Sequence, residues 1–416
     1  MIHFERFSLS NKLTVLVNED KTTPMVAMNI LYKVGSRDEE ENKTGFAHLF
    51  EHLMFGGSVN IPQYDVPLER AGGENNAFTN NDFTNYYLTI PARNVETAFW
   101  LESDRMLSLA FSEESLEVQR RVVIEEFKQS YLNKPYGDAW LALRPLAYRI
   151  HPYKWNTIGK DISHIENATL EDVRSFFYKY YFPGNAILSL SGNISVKKAQ
   201  TLSEKWFGEI PNHPPTVNKY PSEPPQSGKR TAEIRKQVPA DRIFKAYHCC
   251  ARTDREYYAT DLISDVLSKG NSSRLYIALV KERKMFTSIQ AYLTGNLDKS
   301  LLVIDGFLSD GIDMEDAENA IDAEMQKIIG TPVGKRELQK VKQMMESAMV
   351  FSEIPITQRA LNLAFFEMLG DASMVNRYNE FYNEVSAGEI QQTASDIIND
   401  RSSSVLYYLK NGKDSG

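Results

Sequence analysis

Residues 47–54 read Ala47-His48-Leu49-Phe50-Glu51-His52-Leu53-Met54, and the rest of the chain can be read outward from them. The order H-x-x-E-H puts His48, Glu51 and His52 at offsets i, i+3 and i+4. On a helix these positions share one face, so two imidazoles and one carboxylate can converge on a single point. Thr44 is the expected N-cap of that helix, and Gly56-Gly57 its expected stop.

Upstream, residues 13–17 and 26–33 predict strands, with Val26, Met28, Ile30 and Tyr32 on one face. The polar stretch GSRDEEENKTG (35–45) predicts a loop. Downstream, Gly72-Gly73 and the segment through Asn76-Ala77-Phe78-Thr79, followed by NYYLTIP, predict a turn and a two-stranded hairpin. Apolar periodicity predicts helices near residues 95–109, 115–132 and 170–180, the last halted by Pro183-Gly184 and followed by the strand AILSLSG.

Six of the 17 prolines fall between Pro211 and Pro225, a density that excludes helix and interior strand. The expected organisation is therefore a domain over 1–210, a Pro-rich linker over 211–230 and a second domain over 231–416. The second half repeats the element order of the first. Setting Leu262 against Leu49 places Asp261, Ser264 and Asp265 at the positions of His48, Glu51 and His52, so the copy keeps the helix and loses the imidazoles. Strands and helices without strict βαβ alternation predict an α+β class with mainly antiparallel sheets, one per homologous domain.

The 416 residues, 42% hydrophobic and 25% charged, suit a globular protein of two or three domains. A net charge of −8 argues against nucleic acid or an anionic membrane as main partner. No run approaches the ~18 apolar residues of a membrane span. The N-terminus lacks the basic and apolar regions of a secretion signal, which predicts a cytoplasmic location; a periplasmic one stays open if a leader has been trimmed. Cys249 and Cys250 are adjacent and would close only a strained bridge, so stability is not expected to depend on disulfides.

Two neutral imidazoles are half of a catalytic zinc shell, which takes three protein ligands and an open position for water. Such a cation lowers the pKa of water toward ~7, and Glu51 is suited to take the water's proton and return it to a leaving amine. The plainer reading is a helix with two incidental histidines. With 7 histidines in the chain, a chance H-x-x-E-H is improbable, on the order of one per cent. A third ligand is expected on the helix QRRVVIEEF (119–127), where a pair of carboxylates on an apolar helix needs a compensating charge. The pattern alone does not choose between Glu125 and Glu126.

The ordered set H-x-x-E-H at 48–52, GG-x-x-NAFT at 72–79, RRVVIEEF at 120–127 and HPY at 151–153 resembles the M16 family of zinc metallopeptidases, which includes pitrilysin, insulysin and the mitochondrial processing peptidases. The resemblance is to the short bacterial type, specific over the first ~210 residues and fainter beyond, as a degenerate repeat. It implies one zinc per chain held by His48, His52 and Glu126, with Glu51 as general base. It implies that Asn76, Ala77, Phe78 and Thr79 form an edge strand to which extended peptides add. Gln119, seven residues before Glu126, stands where the family often has an acidic residue and is a candidate to support the site from behind.

The resemblance further implies two such units closing around a chamber. Active members or their partners carry an arginine and a tyrosine in a segment of the form L-R-x-x-x-x-L-x-Y, which hold the substrate backbone. Here Val280 and Thr287 occupy those positions, and Arg283 lies at another offset. The expectation is a zinc endopeptidase or oligopeptidase that pairs with a homologous subunit lacking H-x-x-E-H but carrying the clamp, a homodimer being the other arrangement. The competing expectations are a non-catalytic M16-like core subunit and a metal-dependent peptide-binding module without turnover.

Overall fold

The computed structural model describes residues 1–214 and 218–411; the linker positions 215–217 and the last five residues of the second expected domain lie outside them. The chain is mixed α+β and forms two compact units, each built on one sheet.

The first unit holds β1 (Glu5–Ser8), β2 (Thr14–Glu19), β3 (Met25–Tyr32), β4 (Glu74–Thr79), β5 (Thr84–Pro91) and β6 (Ala186–Gly192). Their order is β1-β2-β6-β3-β5-β4, antiparallel except for the parallel β2–β6 pair. The second unit holds β7 (Arg230–Lys236), β8 (Arg242–His248), β9 (Phe286–Leu293), β10 (Leu301–Leu308) and β11 (Ser403–Lys410). Their order is β7-β11-β8-β10-β9, again with one parallel pair, β7–β11. Apart from β1 the two sheets have the same topology, so the repeat inferred from element order holds at the level of strand pairing.

The units are not the sequential halves 1–210 and 231–416. The first comprises Met1–Phe127, Trp155–Lys219 and Met349–Arg377, and the second Lys128–Lys154, Tyr220–Ala348 and Tyr378–Gly416. Each half lends the other a segment, and burial explains why. Helix Ala139–Ala147 sets Ala139, Leu143 and Ala147 into one core with Phe244, Leu301, Val303, Leu406 and Tyr408 of the second sheet. Helix Ile356–Met368 buries Ala360, Leu363 and Ala364 and packs on β3 and β6 of the first. Periodicity reveals that each helix has an apolar face, but not which sheet it will cover.

The same helix changes the reading of β3. The expected face of Val26, Met28, Ile30 and Tyr32 is buried, and so are Ala27, Asn29 and Leu31 opposite, because the sheet is covered on both sides. The Pro-rich stretch also differs from a free spacer. Glu223 is buried and accepts the backbone N–H groups of Arg149, Ile150 and His151 at 2.7–2.9 Å, which fastens this part of the linker into the second unit. Among the described residues no helix is long and apolar enough to cross a membrane.

The motif helix runs Phe46–Leu53. Its core face is Phe46, Leu49, Phe50 and Leu53, all buried. Phe50 lies against aromatic rings of helix Leu170–Tyr180 and of Tyr181 just beyond it, with ring centroids 5.0 Å from Phe176 and 5.1 Å from Tyr181. This contact fixes the rotation of the helix and so the direction of the opposite face. Phe50→Ala is expected to destabilise the fold by about 3–5 kcal/mol, which a denaturant titration followed by circular dichroism would measure.

Candidate metal centre

The face of the motif helix opposite Phe50 presents His48, Glu51 and His52, all half-buried. Helix Glu113–Phe127 packs against it, seated by buried Leu116, Val123 and Phe127. Arg120 pins that helix by donating to the carbonyls of Ile165 at 3.2 Å and Ala168 at 2.6 Å. With Val123 and Phe127 inward, Glu125 is exposed and Glu126 turns to the histidines. Its Oε2 lies 3.7 Å from His48 Nε2 and 3.4 Å from His52 Nε2. One ligand atom from each of the three residues lies within 4.8 Å of the others. Of the two glutamates, Glu126 is the one whose carboxylate lies beside the imidazoles.

The spacing fits a metal ion. Four ligands ~2.1 Å from zinc in a tetrahedron stand about 3.4 Å from one another, close to the two carboxylate distances here. The protonation states fit as well. Burial holds the His48 pKa down to about 4, the neighbouring Glu126 opposing and His52 assisting, so its imidazole is neutral and able to ligate. The hydrogen bond with His52, with His48 beside it, holds Glu126 below the usual carboxylate range against its partial burial. His48 Nδ1 is buried with no hydrogen-bond partner among the described residues.

Glu51 stands beside these three side chains. Burial raises its pKa, while hydrogen bonds from the Thr79 side chain and backbone pull it down. Thr79 closes β4, the terminal strand of the first sheet, which among the described residues pairs only with β5. Of the other residues expected on that strand, Asn76 bends its Oδ1 onto the Ala77 N–H at 2.8 Å, and Phe78 is exposed with its ring 5.8 Å from Phe83. Gln119 is half-buried on the helix of Glu126 with its amide nitrogen beside Gly56; no hydrogen bond joins it to His48, His52 or Glu126 among the described residues.

Sequence reasoning misplaced the start of the motif helix. The N-cap position is Gly45, at φ 90°, and its side-chain cap comes from Glu39. Glu39 Oε2 accepts the Gly45 N–H at 2.9 Å and Oε1 the Ala47 N–H at 2.8 Å. Thr44 is buried and turned away: its hydroxyl meets His164 Nδ1 at 2.8 Å and accepts the Lys160 N–H at 2.9 Å. A carboxylate in an acidic loop carries no spacing signal for this role, unlike a residue immediately before the helix.

In the second unit, helix Glu256–Ser268 carries Asp261 and Asp265. Tyr382 donates to Asp261 at 2.6 Å and Lys269 lies 3.4 Å from Asp265, so side chains of the protein answer these carboxylates. Val280 lies in a π-helical turn, and Thr287, exposed on β9, donates to the Phe307 carbonyl at 3.3 Å.

Residues 14–159, which contain all four site residues, match the family described as Insulinase (Peptidase family M16), and residues 167–345 match the Peptidase M16 inactive domain. The chain is 28% identical over 410 residues to the zinc protease PqqE of Helicobacter pylori, covering 97% of this chain and 92% of that one. It superposes on the crystal structure of a protease from Helicobacter pylori with a TM-score of 0.93 at 28% identity, covering 98% of this chain and all of the other. The periplasmic protease PqqL from Escherichia coli shares the fold, with a TM-score of 0.82 at 19% identity, and this chain covers 98% of its own length but 48% of that protein. Both halves of the sequence thus match M16 descriptions in order, and the chain belongs to the M16 peptidase family, with relatives named zinc proteases.

Proposed function

We propose that this chain is a zinc-dependent endopeptidase or oligopeptidase acting on extended peptides. The observation that carries the reading is the convergence of His48, His52 and Glu126 beside a half-buried Glu51. His48 and His52 give neutral nitrogens and Glu126 one negative charge, so the three hold a dication without neutralising it. Zinc bound there supplies Lewis acidity, lowering the pKa of a water and polarising the scissile carbonyl. Glu51 accepts the proton of the attacking water and passes it to the leaving nitrogen. The open edge of β4 at Asn76–Thr79 pairs with the substrate backbone, which grips extended chains with little sequence preference.

The reading includes a partner. With Val280 and Thr287 at the positions where an arginine and a tyrosine would hold substrate, the donors that stabilise a developing oxyanion come from a second, homologous subunit lacking H-x-x-E-H, the two closing a chamber. PqqL, of which this chain covers 48%, is long enough to hold a second unit of this size, which supports a paired arrangement.

Quenched-fluorescent peptides incubated with the purified chain test both parts. Cleavage is expected to stop with a zinc chelator and return with added zinc; cleavage that persists after complete zinc removal refutes the metal reading. Binding of peptide without cleavage, under every condition, would favour a binding module. Mixing with the homologous partner is expected to raise the rate about 10²-fold. A chain as fast alone as in the mixture needs no partner.

A further inference from the structure

We propose that Glu39 is a positioning residue of the metal centre, holding the first turn of the motif helix so that His48 faces Glu126. The inference rests on the metal reading above and extends it to a residue outside the motif.

Three observations carry it. The first is geometric: the two carboxylate oxygens are divided between two amides, Gly45 N–H on Oε2 and Ala47 N–H on Oε1. The helix has only eight residues, and its first amides have no partner within it. Ala47 immediately precedes His48, so the cap fixes the backbone from which that ligand springs. The second is burial. Glu39 is 8% exposed, and among the described residues its carboxyl group is held by two backbone N–H donors with no salt-bridge partner. Burying such a group is costly, and a solvent-exposed Ser or Asp would cap the helix at less cost. The third is the rigidity of the surrounding loop. A Cβ on Gly45 would meet the Ile158 carbonyl oxygen at 2.8 Å, and Thr44 is tied to His164 and Lys160. These contacts turn Thr44, the residue before Gly45, away from the cap position.

Glutamine is the informative replacement. It keeps the shape but turns one acceptor into an N–H₂ group, which then faces an amide N–H with no acceptor between them. One helix amide is left unsatisfied, and the first turn loosens.

The test uses full-length Glu39→Gln beside wild type, with zinc affinity from chelator competition, the visible spectrum of the Co²⁺-substituted protein, circular dichroism and thermal melting. The expected result is a folded variant whose zinc affinity falls about 10- to 100-fold, with an altered cobalt spectrum. A purely structural cap would lower the melting temperature and leave affinity and spectrum unchanged in the folded protein, and that result overturns the proposal. Glu39→Asp, which keeps the carboxylate but shortens its reach, serves if the Gln variant does not fold; an intermediate affinity supports the proposal and wild-type affinity overturns it. Loss of the fold in both variants assigns Glu39 to stability alone and also overturns it. Wild-type protein that takes up no zinc refutes the metal centre itself, whereas a zinc-binding wild type with an unaffected variant refutes only the role of Glu39.

Discussion

Glu51→Gln is expected to keep one zinc per chain and lose about 10²- to 10⁴-fold in turnover. The amide matches the carboxylate in shape and in burial. It cannot take a proton from water. The zinc should stay because the ligands proposed for it are other side chains, His48, His52 and Glu126. The variant should also be no less stable than wild type, since burial already disfavours the charged form of Glu51 and glutamine carries no charge to bury. Metal analysis by mass spectrometry, peptide turnover and a melting curve measure the three quantities. Loss of zinc from this variant would make Glu51 a ligand and remove it as the base.

The adjacent glutamates give a second contrast. Glu126→Gln is expected to lower zinc affinity by more than the about 10- to 100-fold that a residue behind the ligands costs, and to abolish turnover with it. The 3.4 and 3.7 Å approaches of its Oε2 to the two imidazoles would be lost as a charged ligand set, leaving two neutral nitrogens. Glu125→Gln, one residue earlier on the same helix and exposed, should leave zinc content and rate unchanged. Zinc titration of the two variants side by side reads the difference. Equal effects would mean that the helix rotation described here does not hold in solution.

Much of this molecule is legible without coordinates because the relevant signals are local. The i, i+3, i+4 offsets of His48, Glu51 and His52 require only that the segment be a helix, and it is. The strand AILSLSG falls at Ala186–Gly192 as read, and the hairpin of β4 and β5 follows its turn residues. The repeat is legible from element order, since the same order of strands and helices generates the same sheet twice.

What failed involved partners at no fixed distance along the chain. The helix cap was placed at Thr44 because caps are read from the residue before a helix, whereas Glu39 reaches it from within a loop. The extent of each compact unit is also set at long range, because two helices are held by apolar faces that find their sheets across the chain.

The sequence by itself determined the chemistry of the motif face, the two-fold plan of the chain and its α+β class. These follow from residue type and short-range periodicity, which the backbone geometry of helix and strand imposes on any chain. Only the tertiary structure decided that Glu126 rather than Glu125 joins the histidines, that β4 is left with an open edge beside Glu51, that Glu39 caps the motif helix and that each unit is completed by a segment from the other half. Those outcomes depend on how helices rotate and where strands end when the cores close, and packing selects them from alternatives between which a linear pattern does not distinguish.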